Sequence, residues 1–379
     1  LVPAAGGDVI FLAAVSLAIW VYLLVGHGRF WQAGPSLAPP PPLSARAPLP
    51  AVTVVVPARN EAETIERALK SLLAQDYPGP FRVVMVDDIS SDGTGVIADA
   101  IDDPRLTVLR GAPHPVGWSG KLWALQQGIA ETADGLLLLT DADIRHDKLH
   151  LATLVTKLEQ DRLDMVSEMV GLHCEGPVEH ALVPAFVFFF QLLYPFAWVN
   201  DAGNKTAAAA GGTVLIRAAA LRRVGGFAAM RGALIDDVTL ARLVKAEGRI
   251  WLGHSRLATS IRPYKTAGEV WRMVARCAFV QLNYSAGRLA GTVAGMILVW
   301  LVPPLAALFG HGLASFLGVL GWAAMVAAYL PTLRRFGLSP IWAALLPGVA
   351  VFYTAATVGS AIDHYRGRGV VWKQRAYHG

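Results

Sequence analysis

A chain of 379 residues is long enough for one sizeable folded domain plus several membrane-crossing helices. Hydrophobic residues make up 54% of it against 16% charged, and the excess is gathered into long runs, which excludes the composition of an ordinary water-soluble protein. A net charge of +5 would suit nucleic acid, yet basic residues crowd beside apolar runs (Arg334, Arg335, Arg366, Arg368, Lys373, Arg375), so anionic lipid headgroups are the expected partner and nucleic acid is not.

Residues 9–26 (VIFLAAVSLAIWVYLLVG) carry no charge and match the roughly 17–25 residues that a spanning helix requires. No Lys or Arg precedes the run and no clear small-residue cleavage site follows it, which favours a retained anchor, residues 1–28, over a cleaved signal peptide. Residues 29–50 form a linker rich in proline (Pro39 to Pro42, Pro48, Pro50), a composition that gives an extended, semi-rigid spacer. From Ala51 the pattern changes to short β-rich runs at 52–56, 82–86 and 136–139, alternating with helical stretches at 61–74 and 121–130. That alternation predicts an α/β domain with buried parallel strands over residues 51–265. Ligands of open α/β sheets sit beyond the carboxyl ends of the strands, so chemistry is expected in the residues that follow each run. Cys174 and Cys277 form no paired motif, and neither a disulfide framework nor a cysteine-based zinc site is expected.

The first run is followed by Pro57-Ala58-Arg59-Asn60-Glu61, the second by Asp87-Asp88-Ile89-Ser90-Ser91-Asp92-Gly93-Thr94, and the third by Thr140-Asp141-Ala142-Asp143. An Asp-x-Asp pair by itself is as often a helix cap or a turn. Here four leucines precede it, and two carboxylates leaving a buried strand repel each other and lose solvation unless a cation shares the site. Hard oxygen ligands suit Mg2+ or Mn2+, whose remaining positions a diphosphate can fill. Gly117-Trp118-Ser119-Gly120-Lys121 puts a cation and flexible backbone before a helix, where anions bind well, although a glycine-rich turn with one lysine is common on surfaces. Further on, Gly211-Gly212-Thr213 opens a strand at 214–216 and Val224-Gly225-Gly226-Phe227 makes a turn. Asp236 and Asp237 then begin a helix, whose positive N-terminus two acids serve in any case.

Taken in order, VVVPARNEAETI, VVMVDDISSDGT and LLLLTDAD resemble the family 2 inverting glycosyltransferases with the GT-A fold, a Rossmann-like nucleotide-sugar-binding domain. The resemblance covers about residues 51–290. It implies that Asp143 ligates a divalent metal, Mg2+ or Mn2+, and that Asp141 contacts the metal or the donor's ribose or sugar. It implies further that Asp88 contacts the nucleotide base or ribose, that Pro57, Arg59 and Glu61 form the loop around the nucleoside, and that Lys121 holds a donor phosphate. Asp88 read by itself is equally a turn-forming residue. The segment from Gly225 to Asp237 resembles the family's GGF and Glu-Asp pair, with Asp236 one methylene shorter than the usual Glu and Asp237 matching the catalytic base. Adjacent acids favour a raised pKa, which suits a base near neutral pH.

The family's Gln-x-x-Arg-Trp motif is missing from the helical region at 268–285. Arg272 and Arg276, four apart on one helix face there, are candidates to meet the departing diphosphate or, equally, basic residues reaching out from an interfacial helix at 266–290. Residues 181–199 (ALVPAFVFFFQLLYPFAWV) are long enough to span, but spanning would separate Asp143 from Asp237 across the membrane. The run is expected to be an interfacial segment or acceptor groove broken at Pro184 and Pro195, or else a core helix.

Three more apolar runs, at 292–309, 313–330 and 341–362, predict C-terminal membrane helices within residues 291–365, followed by a basic tail at 366–379. With a cytoplasmic sugar-transfer domain, three later spans leave that tail outside, against the tendency of basic flanks to stay inside. Turning the first run back at Pro303 and Pro304 would return the tail but put Arg334 and Arg335 outside, so four spans with an external tail is the expectation.

Within the family, the single anchor, PARNEAETI, GWSGKLWA, the aromatic run and the C-terminal spans are most similar to the hopanoid-biosynthesis-associated glycosyltransferases of bacteria. The resemblance implies a multi-pass enzyme of the bacterial inner membrane that moves one sugar, with inversion, from a nucleotide-sugar donor (UDP on family grounds) to a lipid hydroxyl, a hopanoid among the acceptors. A polyprenyl-phosphate sugar synthase shares these motifs and spans. A non-catalytic membrane scaffold or lipid transporter is the alternative of a different class.

Overall fold

The computed structural model describes residues 4–38, 49–130, 132, 134–367, 370–372 and 375–377. Pro39 to Pro42 and Pro48 of the expected linker, with Arg368 and Lys373 of the expected tail, lie outside the described residues.

The strands are β1 Val52–Ala58, β2 Phe81–Asp87, β3 Leu106–Arg110, β4 Leu136–Thr140, β5 Ile144–His146, β6 Met165–Gly171, β7 Thr213–Arg217 and β8 Ile250–Ser260. Among the described residues they form one eight-stranded sheet in the order β3-β2-β1-β4-β7-β6-β8-β5. The expected parallel pairing holds from β3 to β4, but β7 is antiparallel to both β4 and β6, and β5 to β8, so the sheet is mixed.

Every residue of β1 and β4 is buried, because helices cover both faces. Alternate residues divide between the faces. Val54, Val56, Leu136 and Leu138 pack with α2 (Ile65–Leu73), α3 (Thr94–Asp99) and α5 (His150–Gln160). Val55, Leu137 and Leu139 pack with α4 (Gly120–Gly128), α8 (Ala218–Arg223) and α9 (Asp236–Glu247). The chain runs outward from β1 through β2 to β3 and returns to the far side of β1 as β4, so the carboxyl ends of β1 and β4 flank the crevice where strand order reverses.

Among the described residues three helices are long and apolar enough to cross a membrane: Gly7–Val25 within α1 (Ala4–Val25), the continuous stretch Ala286–Phe309, and α13 (Leu313–Arg335). Pro303 and Pro304 do not turn the chain back. A π-helical stretch, Ile297–Leu301, joins α11 (Ala286–Met296) to α12 (Val302–Phe309), and the prolines fall in the first turn of α12, where a missing N–H costs little. The Trp20 indole of α1 donates to Val299 O at 2.9 Å and meets Trp300 edge-on at 5.0 Å, which locks the anchor to this stretch.

The last of the three C-terminal apolar runs is not one continuous helix. Residues 341–362 divide at Leu345 into α14 (Ile341–Ala344) and α15 (Leu346–Tyr365), and α15 packs along α6 (Pro177–Leu193) and α10 (Ala267–Gln281). Tyr353 Oη donates to Leu182 O at 2.8 Å, and Phe279 N to Ser360 Oγ at 3.2 Å. α10 ends where Asn283 and Tyr284 take left-handed backbone (φ 50° and 55°), and His364 of α15 stacks on Tyr284 at 4.5 Å. α13 likewise ends against the sheet domain, with Arg335 Nη1 donating to Ser36 Oγ at 3.1 Å and Phe336 packed on the sheet's core. Arg334 and Arg335 thus form the last turn of α13, and Arg366 follows the end of α15.

The aromatic run is a buried joint rather than an open groove. Pro184 lies inside α6 without ending it, and the break falls at Tyr194-Pro195, before α7 (Phe196–Asn200). Leu182, Ala185 and Phe188 are buried among the long helices, and Val187, Phe196 and Val199 in the core of the sheet.

Candidate active site

Asp141 and Asp143 leave β4 on a loop pinned from both flanks: Asp141 N donates to Gly212 O at 3.1 Å, and Ile261 N to Asp143 O at 2.9 Å. Lys121 stands in the first turn of α4, which Ser119 caps by accepting from Leu122 N at 3.3 Å. Its ammonium lies 2.8 Å from Asp141 Oδ1 and 3.7 Å from Asp236 Oδ2. Burial works against that charge, but Asp141 and Asp236 outweigh it and hold the Lys121 pKa above the ordinary value. Asp143 Oδ2 accepts from Arg262 Nε at 2.9 Å and from Ser260 Oγ at 3.3 Å, while the other side of the same guanidinium pairs with Glu61. Burial, and after it the charge of Asp141, raises the Asp143 pKa against the pull of Arg262.

Among the described residues no cluster of three or more His, Cys, Asp or Glu side chains makes a protein-only metal site. The pair Asp141 and Asp143 fits a hard divalent cation that takes its other positions from water and a diphosphate, as Mg2+ and Mn2+ do.

Across the same cleft, Asp237 opens α9. Gly211 N donates to its Oδ2 at 2.9 Å and Val238 N to its Oδ1 at 2.8 Å. Burial first, and the neighbouring Asp236 second, push its pKa up to about 6, against Lys121 and the two N–H donors. Pro57, Lys121, Asp141, Gly211, Asp236 and Asp237 line one open cleft of about 360 Å³. α10 brings Arg276 within electrostatic reach of Asp236 and Asp141. Burial disfavours the charge of Arg276, but Cys277, Asp236 and Asp141 favour it and prevail. Gln281 Nε2 donates to Tyr194 Oη at 2.5 Å and ties α10 to the end of α6. Arg272, one turn before Arg276 and exposed like it, joins none of these contacts.

The loops after β1 and β2 are sewn together. Arg59 Nη1 donates to Asp88 O at 2.5 Å and to Ile89 O at 3.0 Å, Asn60 Oδ1 accepts from Ser91 N at 2.9 Å, and Glu61 N donates to Thr94 Oγ1 at 2.8 Å. Ile89, a β-branched residue at φ 55°, is held in a conformation that costs about 1–3 kcal/mol. Asp88 is 1% exposed. Its neighbours form the turns: Asp87 Oδ1 accepts from Ser90 N at 2.9 Å and Asp92 Oδ1 from Thr94 N at 3.0 Å.

Sequence reasoning omits Arg262. Its signal is a place just beyond the carboxyl end of β8, the same rule that finds the acids after β4. The segment after it is fixed by Glu179, which accepts from Glu175 N, Gly176 N and Tyr264 N at 2.8, 3.0 and 2.7 Å. Burial would raise the Glu179 pKa, but these donors and His173 bring it down to about 2.

Residues 53–225 match the family model described as Glycosyl transferase family 2. Over 284 residues the chain is 26% identical to the probable glycosyltransferase YdaM of Bacillus subtilis, covering 70% of this chain and 64% of that one. Over 156 residues it is 35% identical to the beta-monoglucosyldiacylglycerol synthase of Synechocystis, covering 35% of this chain and 32% of that one. The matches thus span less than two thirds of either relative's length. Over 345 residues it is 22% identical to the 4,4'-diaponeurosporenoate glycosyltransferase of Staphylococcus aureus, covering 86% and 88%. The mannosyltransferase PcManGT of Pyrobaculum calidifontis, solved with GDP-Man and Mn2+, shares the fold, with a TM-score of 0.57 at 22% identity over 94% of this chain and 99% of that one.

Proposed function

We propose that this chain, whose residues 53–225 form a glycosyl transferase family 2 domain, moves one sugar from a nucleotide-sugar donor to the hydroxyl of a membrane lipid. The reading rests above all on Asp237, a carboxylate with a pKa near 6 that faces Asp141 across one cleft with Lys121 between them. Asp88 and the loop of Pro57, Arg59 and Glu61 hold the nucleoside. Asp141 and Asp143 are the residues for Mg2+ or Mn2+, which when bound neutralises charge on the diphosphate. Lys121 and Arg276 add positive charge on the same side. Asp237, assisted by Asp236, takes the proton of the acceptor hydroxyl as its oxygen bonds to the anomeric carbon and the bond from that carbon to the diphosphate breaks. Attack opposite the leaving group inverts the anomeric configuration.

A lipid acceptor is supported by the long apolar helices, which share a buried joint with the sheet domain, and by relatives named for diacylglycerol and carotenoid products. UDP is the preferred nucleotide, and a hopanoid is one acceptor that the sequence resemblance favours. The sheet domain faces the cytoplasm of a bacterial inner membrane, where nucleotide sugars are made and basic helix flanks are retained.

The test uses the full chain in nanodiscs with Mn2+ and radiolabelled UDP-glucose, UDP-N-acetylglucosamine or GDP-mannose, offered hopanoid, ceramide, diacylglycerol and polyprenyl phosphate. Label in a hydroxyl-bearing lipid, identified by mass spectrometry, is the expected result. Label confined to polyprenyl phosphate rejects the hydroxyl acceptor, and no turnover of any donor rejects the enzyme.

A further inference from the structure

The loop that carries Asp141 and Asp143 is closed at its base by four buried polar side chains that no step above uses. Thr140 Oγ1, at the end of β4, lies 3.2 Å from His146 Nε2, and His146 Nδ1 lies 2.9 Å from His150 Nδ1. His150 Nε2 in turn pairs with Glu168 Oε1 on β6. His150 and Glu168 are 0% exposed, and Glu168 Oε2 has no hydrogen-bond partner among the described residues.

The protons along this chain can be counted. Two ring nitrogens face each other between His146 and His150, so one of them carries a hydrogen. A carboxylate at Glu168 requires an N–H at His150 Nε2. If His150 is an imidazolium it donates from both nitrogens, so His146 accepts at Nδ1 and donates from Nε2 to Thr140 Oγ1. The single proton of the Thr140 hydroxyl then points to Gly212 O, 3.0 Å away, beside the Thr213 hydroxyl that donates to the same carbonyl at 2.8 Å. If His150 is neutral the direction reverses: His146 donates to His150, takes the Thr140 proton at Nε2, and Gly212 O loses that donor. A fully buried carboxylate with one partner needs its counter-charge beside it, which selects the first arrangement. Burial, and after it His150, drives the His146 pKa well below the ordinary imidazole value, so His146 is the neutral relay.

Gly212 is where the two sides of the cleft meet. Its carbonyl also accepts from Asp141 N at 3.1 Å, and the residue before it, Gly211, gives its N–H to Asp237 Oδ2 at 2.9 Å. The end of β4 and the start of β7 thus carry a metal-side and a base-side carboxylate on adjoining main chain.

We propose that His150 and Glu168 are positioning residues for sugar transfer: their buried ion pair, relayed by His146, directs the Thr140 hydroxyl to Gly212 O and so sets Asp141 against Asp237. The inference rests on the roles given to Asp141 and Asp237 under the proposed function.

The full chain in nanodiscs is compared with Glu168→Gln, which keeps the shape and removes the charge, Thr140→Val, which removes the hydroxyl, Thr140→Ser, which keeps it, and the Glu168→Gln and Thr140→Val double variant. Leu154→Ala, at a buried apolar residue one turn along α5 from His150 that makes none of these polar bonds, reports lost packing. The readouts are the Mn2+ Kd with UDP or with GDP, by electron paramagnetic resonance, the kcat for nucleotide-sugar turnover, and Tm. Glu168→Gln and Thr140→Val are each expected to weaken Mn2+ binding and lower kcat by about tenfold, as loss of supports behind metal ligands does. Thr140→Ser restores both, and the double variant is no worse than the poorer single, because both changes break one chain of bonds. Leu154→Ala lowers Tm and leaves both constants near wild type. Wild-type constants for Glu168→Gln, losses that multiply in the double variant, or equal losses in Leu154→Ala overturn the proposal. Should Glu168→Gln fail to fold, Thr140→Val with wild-type constants, or Thr140→Ser without rescue, overturns it equally. Wild-type protein that binds Mn2+ with neither nucleotide sinks the donor-site reading and this inference with it, whereas wild-type binding with unaffected variants sinks this inference only.

Discussion

Arg262 reaches Asp143 with Nε 2.9 Å from Oδ2, and Glu61 holds the far side of its guanidinium. A divalent cation arriving at Asp143 therefore meets a carboxylate that already has a positive partner. Replacing that partner should ease the cation's access: Arg262→Gln is expected to bind Mn2+ without nucleotide about tenfold more tightly than wild type, the worth of one charge-assisted bond discounted for its exposure. Titration of the free Mn2+ signal checks this, and unchanged or weaker affinity rejects the competition.

Asp237 accepts from two backbone N–H groups, and an asparagine amide oxygen can keep one of them. Asp237→Asn is expected to lower kcat by roughly 10²–10⁴-fold, the usual contribution of a general base, with donor binding near wild type. Turnover at the wild-type rate removes Asp237 from the role.

With its pKa raised to about 6, Asp237 is protonated below that pH and idle as a base. The acid limb of kcat/KM, which reports the free enzyme, is therefore expected to rise through about pH 6. Asp236→Asn removes the like charge that raises this pKa and moves the limb to lower pH. Lys121→Met removes the opposite charge and moves it higher. Shifts in the same direction, or none, contradict the assignment.

The close of α15 against Tyr284 predicts that the residues after it lie on the side of the sheet domain. A cysteine at Gly367, in a chain with Cys174→Ser and Cys277→Ser, should resist an impermeant thiol reagent in intact cells and react once they are permeabilised. Labelling of intact cells would restore the external tail.

What the sequence discloses depends on how local the cause is. β1 and β4 are legible because VTVVVPA and LLLLT are continuous apolar runs buried on both faces, and the acids after β4 follow from the strand that delivers them. Arg262 is hidden because its bond to Glu61 joins residues 201 positions apart. The same holds for Thr140, His146, His150 and Glu168, each ordinary in its own stretch and meaningful only once β4, β5, α5 and β6 are brought together. Apolar content likewise makes residues 341–362 look like one unbroken helix, which Leu345 divides. Hydrogen bonds from Tyr353 to Leu182 and from Phe279 to Ser360, rather than composition, seat α15 on α6 and α10.

The bond from Gln281 to Tyr194 and the seating of α15 hold α10, with Arg276, as a separate length of chain beside the cleft. On the proposed function, selection of the two substrates is thereby modular. Exchanging residues 267–365 between relatives would transplant a preference for one lipid while the nucleotide preference stays behind. A chain ending at residue 265 would keep Lys121 and the cleft's acids but lack Arg276, an open vise that on the proposed function grips the donor and releases its sugar to water.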